Sequence, residues 1–140
     1  MIRFESLKGD ILERVPAAIS ALQGSADVVF AYLFGGLARG KVRPLSDVDM
    51  AVYLAASADP VAAKISLFDQ LTDALETTEL DLVLLNSAPT SLAGRILTDR
   101  VVLVDKDPFV RHRYESLARR QYFDFRHIED GFFARRFKDG

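Results

Sequence analysis

The chain has no cysteine among its 140 residues. That excludes a disulfide framework, a thiol nucleophile and a cysteine-ligated zinc site. Only two histidines occur, His112 and His127. A histidine-rich metal site is therefore excluded as well, and hard ions with oxygen ligands are what remain. Neither sign of charge is in large excess. The formal net charge is −2, so no global positive field points to nucleic acid. No apolar run approaches the ~20 residues that a membrane span needs. Charges interrupt the opening MIRFESLKGD early, and no signal peptide is legible there. These absences lead to the expectation of a cytoplasmic protein without membrane or nucleic-acid partners.

What is present suits one domain with one core, spanning 1–140. Hydrophobic residues make up 49% of the chain, enough for a sizeable core at this length. Neither repeats nor linkers interrupt it. Leu7, Ile11, Val15 (or Leu12), Ile19 and Leu22 recur at helical spacing, which predicts a helix over Glu5 to Leu22. Pro16 is expected to break or kink it, or to start a second helix. The apolar run VVFAYLF, Val28 to Phe34, reads as a buried strand stopped by Gly35-Gly36. A polar stretch from Ala38 to Ser46 follows, then a second strand over Asp47 to Leu54. Asp59-Pro60 is a helix start, and Val61, Ile65, Phe68, Leu71 and Leu75 mark the face expected to pack. LDLVLLN, Leu80 to Asn86, is a third strand. Pro89 opens a short helix ending near Asp99, and Val101 to Val104 is a fourth strand. Asp107-Pro108 starts a long C-terminal helix over about 107–137. Its expected packing stripe is Val110, Tyr114, Leu117, Gln121, Phe125, Ile128 and Phe132. Phe123 and Phe133 fall off that stripe, so the helix is expected to offer a surface for a partner or for a homo-oligomer. Strands alternating with helices predict an α/β or α+β domain around a central sheet.

The chemistry concentrates between Gly35 and Asp49. Residues i and i+2 of a strand share a face, so Asp47 and Asp49 project together. Two adjacent carboxylates raise one another's pKa unless a cation lies between them, and Mg²⁺ suits such ligands. Asp81 stands inside an apolar strand, a setting that costs free energy unless the acid is paired, solvated or metal-bound. Gly35 and Gly36 leave backbone N–H groups open to an anion. Arg39, Lys41 and Arg43 follow, with charge that suits a triphosphate. Taken singly, an Asp-x-Asp is more often a solvated turn, a Gly-Gly a plain tight turn, and the three cations a basic surface loop. Their combination at this spacing is what carries weight.

The run LFGGLARGKVRPLSDVDMAVYL resembles the core motif of the DNA polymerase β-like nucleotidyltransferases: Gly-Ser, ten residues, Asp-x-Asp, and a third Asp on a later strand. The Leu37-Ala38-Arg39-Gly40 turn and the Ser46-Asp47-Val48-Asp49 run resemble the minimal nucleotidyltransferases (MNT) in particular, commonly the antitoxin partners of HEPN-domain toxins. The likeness covers roughly Val28 to Val104. It implies a polymerase-β-like fold, with a central mixed sheet, flanking helices and a long C-terminal helix. It also implies catalytic and metal-binding roles for Asp47, Asp49 and Asp81. Two Mg²⁺ ions (or Mn²⁺) would be held there, with ATP as substrate and Gly35, Gly36, Arg39, Lys41 and Arg43 at the nucleotide. In-line attack on the α-phosphate would move AMP to a hydroxyl and expel pyrophosphate, with Asp81 also able to accept the hydroxyl proton. The acceptor implied is a tyrosine of a partner HEPN toxin.

One position departs from the pattern: Gly36 stands where the family has serine. Loss of one hydrogen bond to a charged phosphate weakens nucleotide binding by ~1–3 kcal/mol. Two other readings therefore stay open beside the adenylylating antitoxin. One is an inert antitoxin that acts by binding alone. The other is a transferase acting on a small molecule such as an antibiotic, for which 140 residues leave little room to bind the acceptor.

Overall fold

A computed structural model describes residues 2–40 and 47–139, and the side chains of 11–40 and 47–131. Helix α1 spans Ile2–Gly24 and strand β1 Val28–Phe34. A single helical turn, α2, covers Gly35–Ala38, and strand β2 covers Val48–Leu54. Helix α3 (Pro60–Leu75) leads to β3 (Leu80–Leu84), helix α4 (Thr90–Asp99) to β4 (Val101–Asp105), and helix α5 (Pro108–Asp139) closes the chain. None of the helices among the described residues is long and apolar enough to cross a membrane.

The four strands form one mixed sheet in the order β3-β2-β1-β4. β1 runs antiparallel to both β2 and β4, while β2 and β3 are parallel. Parallel neighbours need a crossover, and α3 supplies it. Alternation along the strands divides the core between the two faces. Val48, Met50, Val52, Leu80 and Leu82 pack on the same side as Ile11, Ala18, Leu22, Leu67, Leu71 and Leu75, under α1 and α3. Phe30, Tyr32 and Ala51 pack on the other side with Ala93, Ile96, Leu97 and Ala118, under α4 and α5. Phe30 and Tyr53 stack there with ring centroids 4.8 Å apart, and Tyr114 from α5 lies against both.

Three local expectations are corrected. Helix α1 continues through Pro16. The proline leaves the carbonyl of Leu12 without its helical donor, but Leu12 and Pro16 are both exposed, so water can satisfy that oxygen. On α3 the buried face is Ala63, Leu67, Leu71 and Leu75, and Val61, Ile65 and Phe68 point outward. Small Ala63 lets α3 lie close, where a count of large apolar residues favoured the neighbouring stripe. The third is α5, where, among the described side chains, Glu115 and Ala118 are buried while Leu117, Phe125 and Ile128 are exposed. Phe132 lies outside the described side chains. The helix start itself is as expected on α3: the Asp59 carboxylate accepts hydrogen bonds from the N–H groups of Val61 and Ala62.

Glu115 explains why α5 turns the face it does. Its carboxylate is only 3% exposed. It accepts the Tyr32 hydroxyl proton at 2.6 Å. Arg100 approaches it with Nε at 2.6 Å and Nη2 at 3.0 Å, and Arg111 donates at 3.1 Å. Arg111 in turn donates to Asp105 at 2.9 Å. The network joins β1, both ends of β4 and α5. Burial pushes the Glu115 carboxyl up, but hydrogen bonds from Arg100 and Tyr32 outweigh it and hold the group below its ordinary 4.5. Breaking a buried charged cluster from one side leaves the other charges stranded. Glu115→Ala is expected to cost ~3–5 kcal/mol in urea unfolding at pH 7, and Glu115→Gln less, since the Gln carbonyl still accepts from Tyr32. Because the folded-state pKa is depressed, the wild-type advantage over Glu115→Gln is present above pH 4.5 and is expected to vanish as pH falls through the folded value.

Candidate active site

The acidic residues meet where the C-terminal end of β1 faces the N-terminal ends of β2 and β3. Phe34, the last residue of β1, pairs with Asp49. Asp49 pairs in turn with Asp81 on the parallel neighbour. Residues directly opposite in a ladder share a face, so Asp49 and Asp81 stand side by side. That face is the one carrying Ala51 and Phe30 toward α4 and α5. Asp47 lies just before β2, two residues from Asp49, and its charge is felt there.

The three differ in surroundings. Asp47 and Asp81 are exposed and Asp49 is partly buried. The expectation that Asp81 carries the cost of burial is corrected here. β3 is the edge strand, and the face that bears Asp81 is open to water at that point. Asp49 carries the cost instead. Burial, then the charges of Asp81 and Asp47, push its carboxyl from 3.8 up to about 6, and Arg39 pulls weakly the other way.

Gly35 is required beside Asp49 for two reasons. Its φ is +74°, in the left-handed region that side chains rarely adopt. A Cβ at Gly35 would also run into the Asp49 carboxylate. The backbone turn and the acid are thus built against each other. Gly36, by contrast, does not have positive φ. Arg39 follows α2, where its N–H donates to the Gly35 carbonyl at 3.2 Å. Its guanidinium donates to Asp99 at 2.6 Å. Asp99 was not legible as part of this region, although an acid in the last turn of a helix opposes the helix dipole and so marks a place where a cation is needed. Lys41, Arg43 and Ser46 lie outside the described residues.

The donor set fits a hard divalent cation. All three side chains are carboxylates, and their mutual repulsion at Asp49 is what a cation would relieve. Among the described residues no three acidic or histidine side chains already converge as a closed metal cage.

Comparison with known proteins gives the family of the fold. The family described as polymerase beta, nucleotidyltransferase matches residues 17–109, and the chain belongs to that family. Several solved structures are similar, toxin–antitoxin assemblies among them. A tri-AMPylated Shewanella oneidensis HEPN toxin in complex with MNT antitoxin has a chain with TM-score 0.67 at 22% identity, covering 88% of this chain and 95% of that one. A mutant of the toxin–antitoxin MntA-HpeT gives 0.62 at 28% identity, over 83% and 89%. A toxin–antitoxin with AMP-PNP gives 0.60 at 25% identity, over 91% and 93%. No curated protein matches the chain.

The raised carboxyl of Asp49 has a stability consequence without metal. Between pH 3.8 and about 6 the folded protein holds a proton that the unfolded chain releases. Stability therefore falls as pH rises through that window and stays lower above it. Asp49→Asn removes the repulsion. In chelator it is expected to raise stability by about 1 kcal/mol at pH 8, after discounting for solvent screening. At pH 4 the gain is expected to vanish, as thermal unfolding at the two pH values would register.

Proposed function

We propose that this chain is a single minimal nucleotidyltransferase domain, an antitoxin of the cytoplasm that transfers AMP from ATP to a tyrosine hydroxyl of a HEPN-domain toxin. The observation that carries the reading is the in-register pairing of Asp49 with Asp81 beside the Gly35 turn. Family membership supports the transferase chemistry. One similar complex contains an AMPylated HEPN toxin, and another, a toxin–antitoxin, contains AMP-PNP.

In this reading Asp47, Asp49 and Asp81 would hold two Mg²⁺ ions, and the chemistry supplied there would be neutralisation of the triphosphate and a lowered pKa of the attacking hydroxyl. The N–H groups of the Gly35-Gly36 turn and the charges of Arg39, Lys41 and Arg43 receive the phosphates. The acceptor oxygen forms a bond to the α-phosphorus and the bond to pyrophosphate breaks in line. Asp81, exposed beside Asp49, accepts the hydroxyl proton. The acceptor comes from the partner, so a site open on one face of the sheet serves the reaction.

A reconstituted pair tests this directly. With ATP and Mg²⁺, the toxin encoded beside this protein is expected to gain the mass of AMP on a tyrosine. The Asp47→Asn, Asp49→Asn variant is expected to leave it unmodified and to lose Mn²⁺ binding in calorimetry. A toxin neutralised yet unmodified by the wild-type protein would favour antitoxin action by binding alone, the reading that Gly36 supports. Gly36→Ser separates the two further. The backbone at Gly36 does not have positive φ, so a serine there meets no backbone strain. Its hydroxyl is expected to tighten ATP binding several-fold, for ~1 kcal/mol or more, measured by titration with Mn²⁺ present.

A further inference from the structure

The Arg39–Asp99 ion pair crosses between two segments far apart in sequence, and it does so at the acidic end of the sheet. Asp99 is the last residue of α4. Its position is set by register: Val101, two residues on, pairs with Leu33, one residue before the end of β1. The residue between them is also anchored. Arg100 holds buried Glu115, its Nη2 donating at 3.0 Å and its Nε 2.6 Å away as an ion pair. The turn after α4 is thereby clamped to α5 through Arg100, and Asp99 reaches the opposite way, to Arg39.

Arg39 sits where a charge near the nucleotide would be needed. It follows directly on α2, bonded through its N–H to Gly35, whose backbone abuts the Asp49 carboxylate. Its side chain is about half exposed. A free arginine there would sample many rotamers, and ordering it on a ligand costs entropy. The Asp99 carboxylate takes one nitrogen of the guanidinium fork, Nη1. The remaining donors of the planar group stay available for phosphate oxygens. Asp99 itself lies at a helix C-terminus, where the dipole disfavours an acid. An exposed ion pair contributes little to stability, so stability alone accounts poorly for an acid at this place.

We propose that Asp99 is a positioning residue that holds Arg39 at the phosphates of a bound nucleoside triphosphate. The inference rests on the nucleotide reading given above and adds to it a residue outside the motif. Asp99 touches no substrate and acts through Arg39.

Calorimetric titration with ATP and Mn²⁺, and separately with adenosine, tests it in the full-length protein. Wild type is expected to bind Mn²⁺–ATP. Asp99→Ala is expected to weaken that binding about five-fold, the equivalent of ~1 kcal/mol, and to leave adenosine binding unchanged. In the Arg39→Ala background, Asp99→Ala is expected to have no further effect. Asp99→Glu is expected to recover part of the loss. Asp99→Asn serves as a second removal of charge if the alanine variant misfolds. Equal losses for ATP and adenosine, or an undiminished loss without Arg39, would mean a structural role and overturn the proposal. Unchanged or tighter ATP binding in Asp99→Ala would overturn it as well, the latter because Asp99 would then be competing with phosphate for Arg39. If the wild-type protein fails to bind Mn²⁺–ATP, the nucleotide reading falls and this inference falls with it.

Discussion

The parallel pairing of β2 with β3 is the constraint on which the site depends. Its register sets Asp49 opposite Asp81, on the face that helices α4 and α5 only partly cover. A shift of one residue would send Asp81 to the α1–α3 core and put Leu80 or Leu82 in its place. The apolar alternation of both strands prevents this, because Val48, Met50, Val52, Leu80 and Leu82 must all face that core together. Hydrophobic burial thus enforces a carboxylate contact that is unfavourable on its own. The sheet holds like charges together, and the cost appears at Asp49, the least solvated of the three.

The glycine turn belongs to the same constraint. Pairing of Phe34 with Asp49 brings the backbone after β1 directly over the acid. Only a residue without Cβ fits there, and the positive φ at Gly35 bends the chain into α2. That turn carries Arg39 back across the end of the sheet toward α4. On the far side, the buried Glu115 cluster fixes α5 to β1 and to the start of β4. The α4–β4 turn lies between, tied in both directions by the adjacent residues Asp99 and Arg100. The acidic end of the sheet is therefore supported by packing beneath and by ion pairs at its rim.

On α5, Tyr122 packs so closely on Gly94 that a Cβ there would strike its ring. Phe123 and Ile128 are each 70% exposed. The expected core stripe is not the packed one, because helical periodicity shows which residues share a side, whereas the side that packs is set by what lies opposite it, here the partners of buried Glu115.

By itself the sequence determined the elements and the acidic motif. Strand β1 over Val28–Phe34 and the Asp59-Pro60 helix start follow from local rules: β-branched runs and capping chemistry. The Gly35 turn was legible for the same reason, since glycine pairs mark places where side chains are excluded. Long-range matters were decided only by tertiary structure. The face of α3 that packs, the tolerance of Pro16 and the burial of Glu115 depend on what lies opposite each residue. So do the exposure of Asp81 and the partial burial of Asp49, a reversal of the sequence-based expectation that follows from β3 being an edge strand. Asp99 is the clearest case, because 60 residues separate it from Arg39. Local rules act over a turn or a strand, whereas an ion pair of that span exists only once the sheet has set both chain segments at the same end.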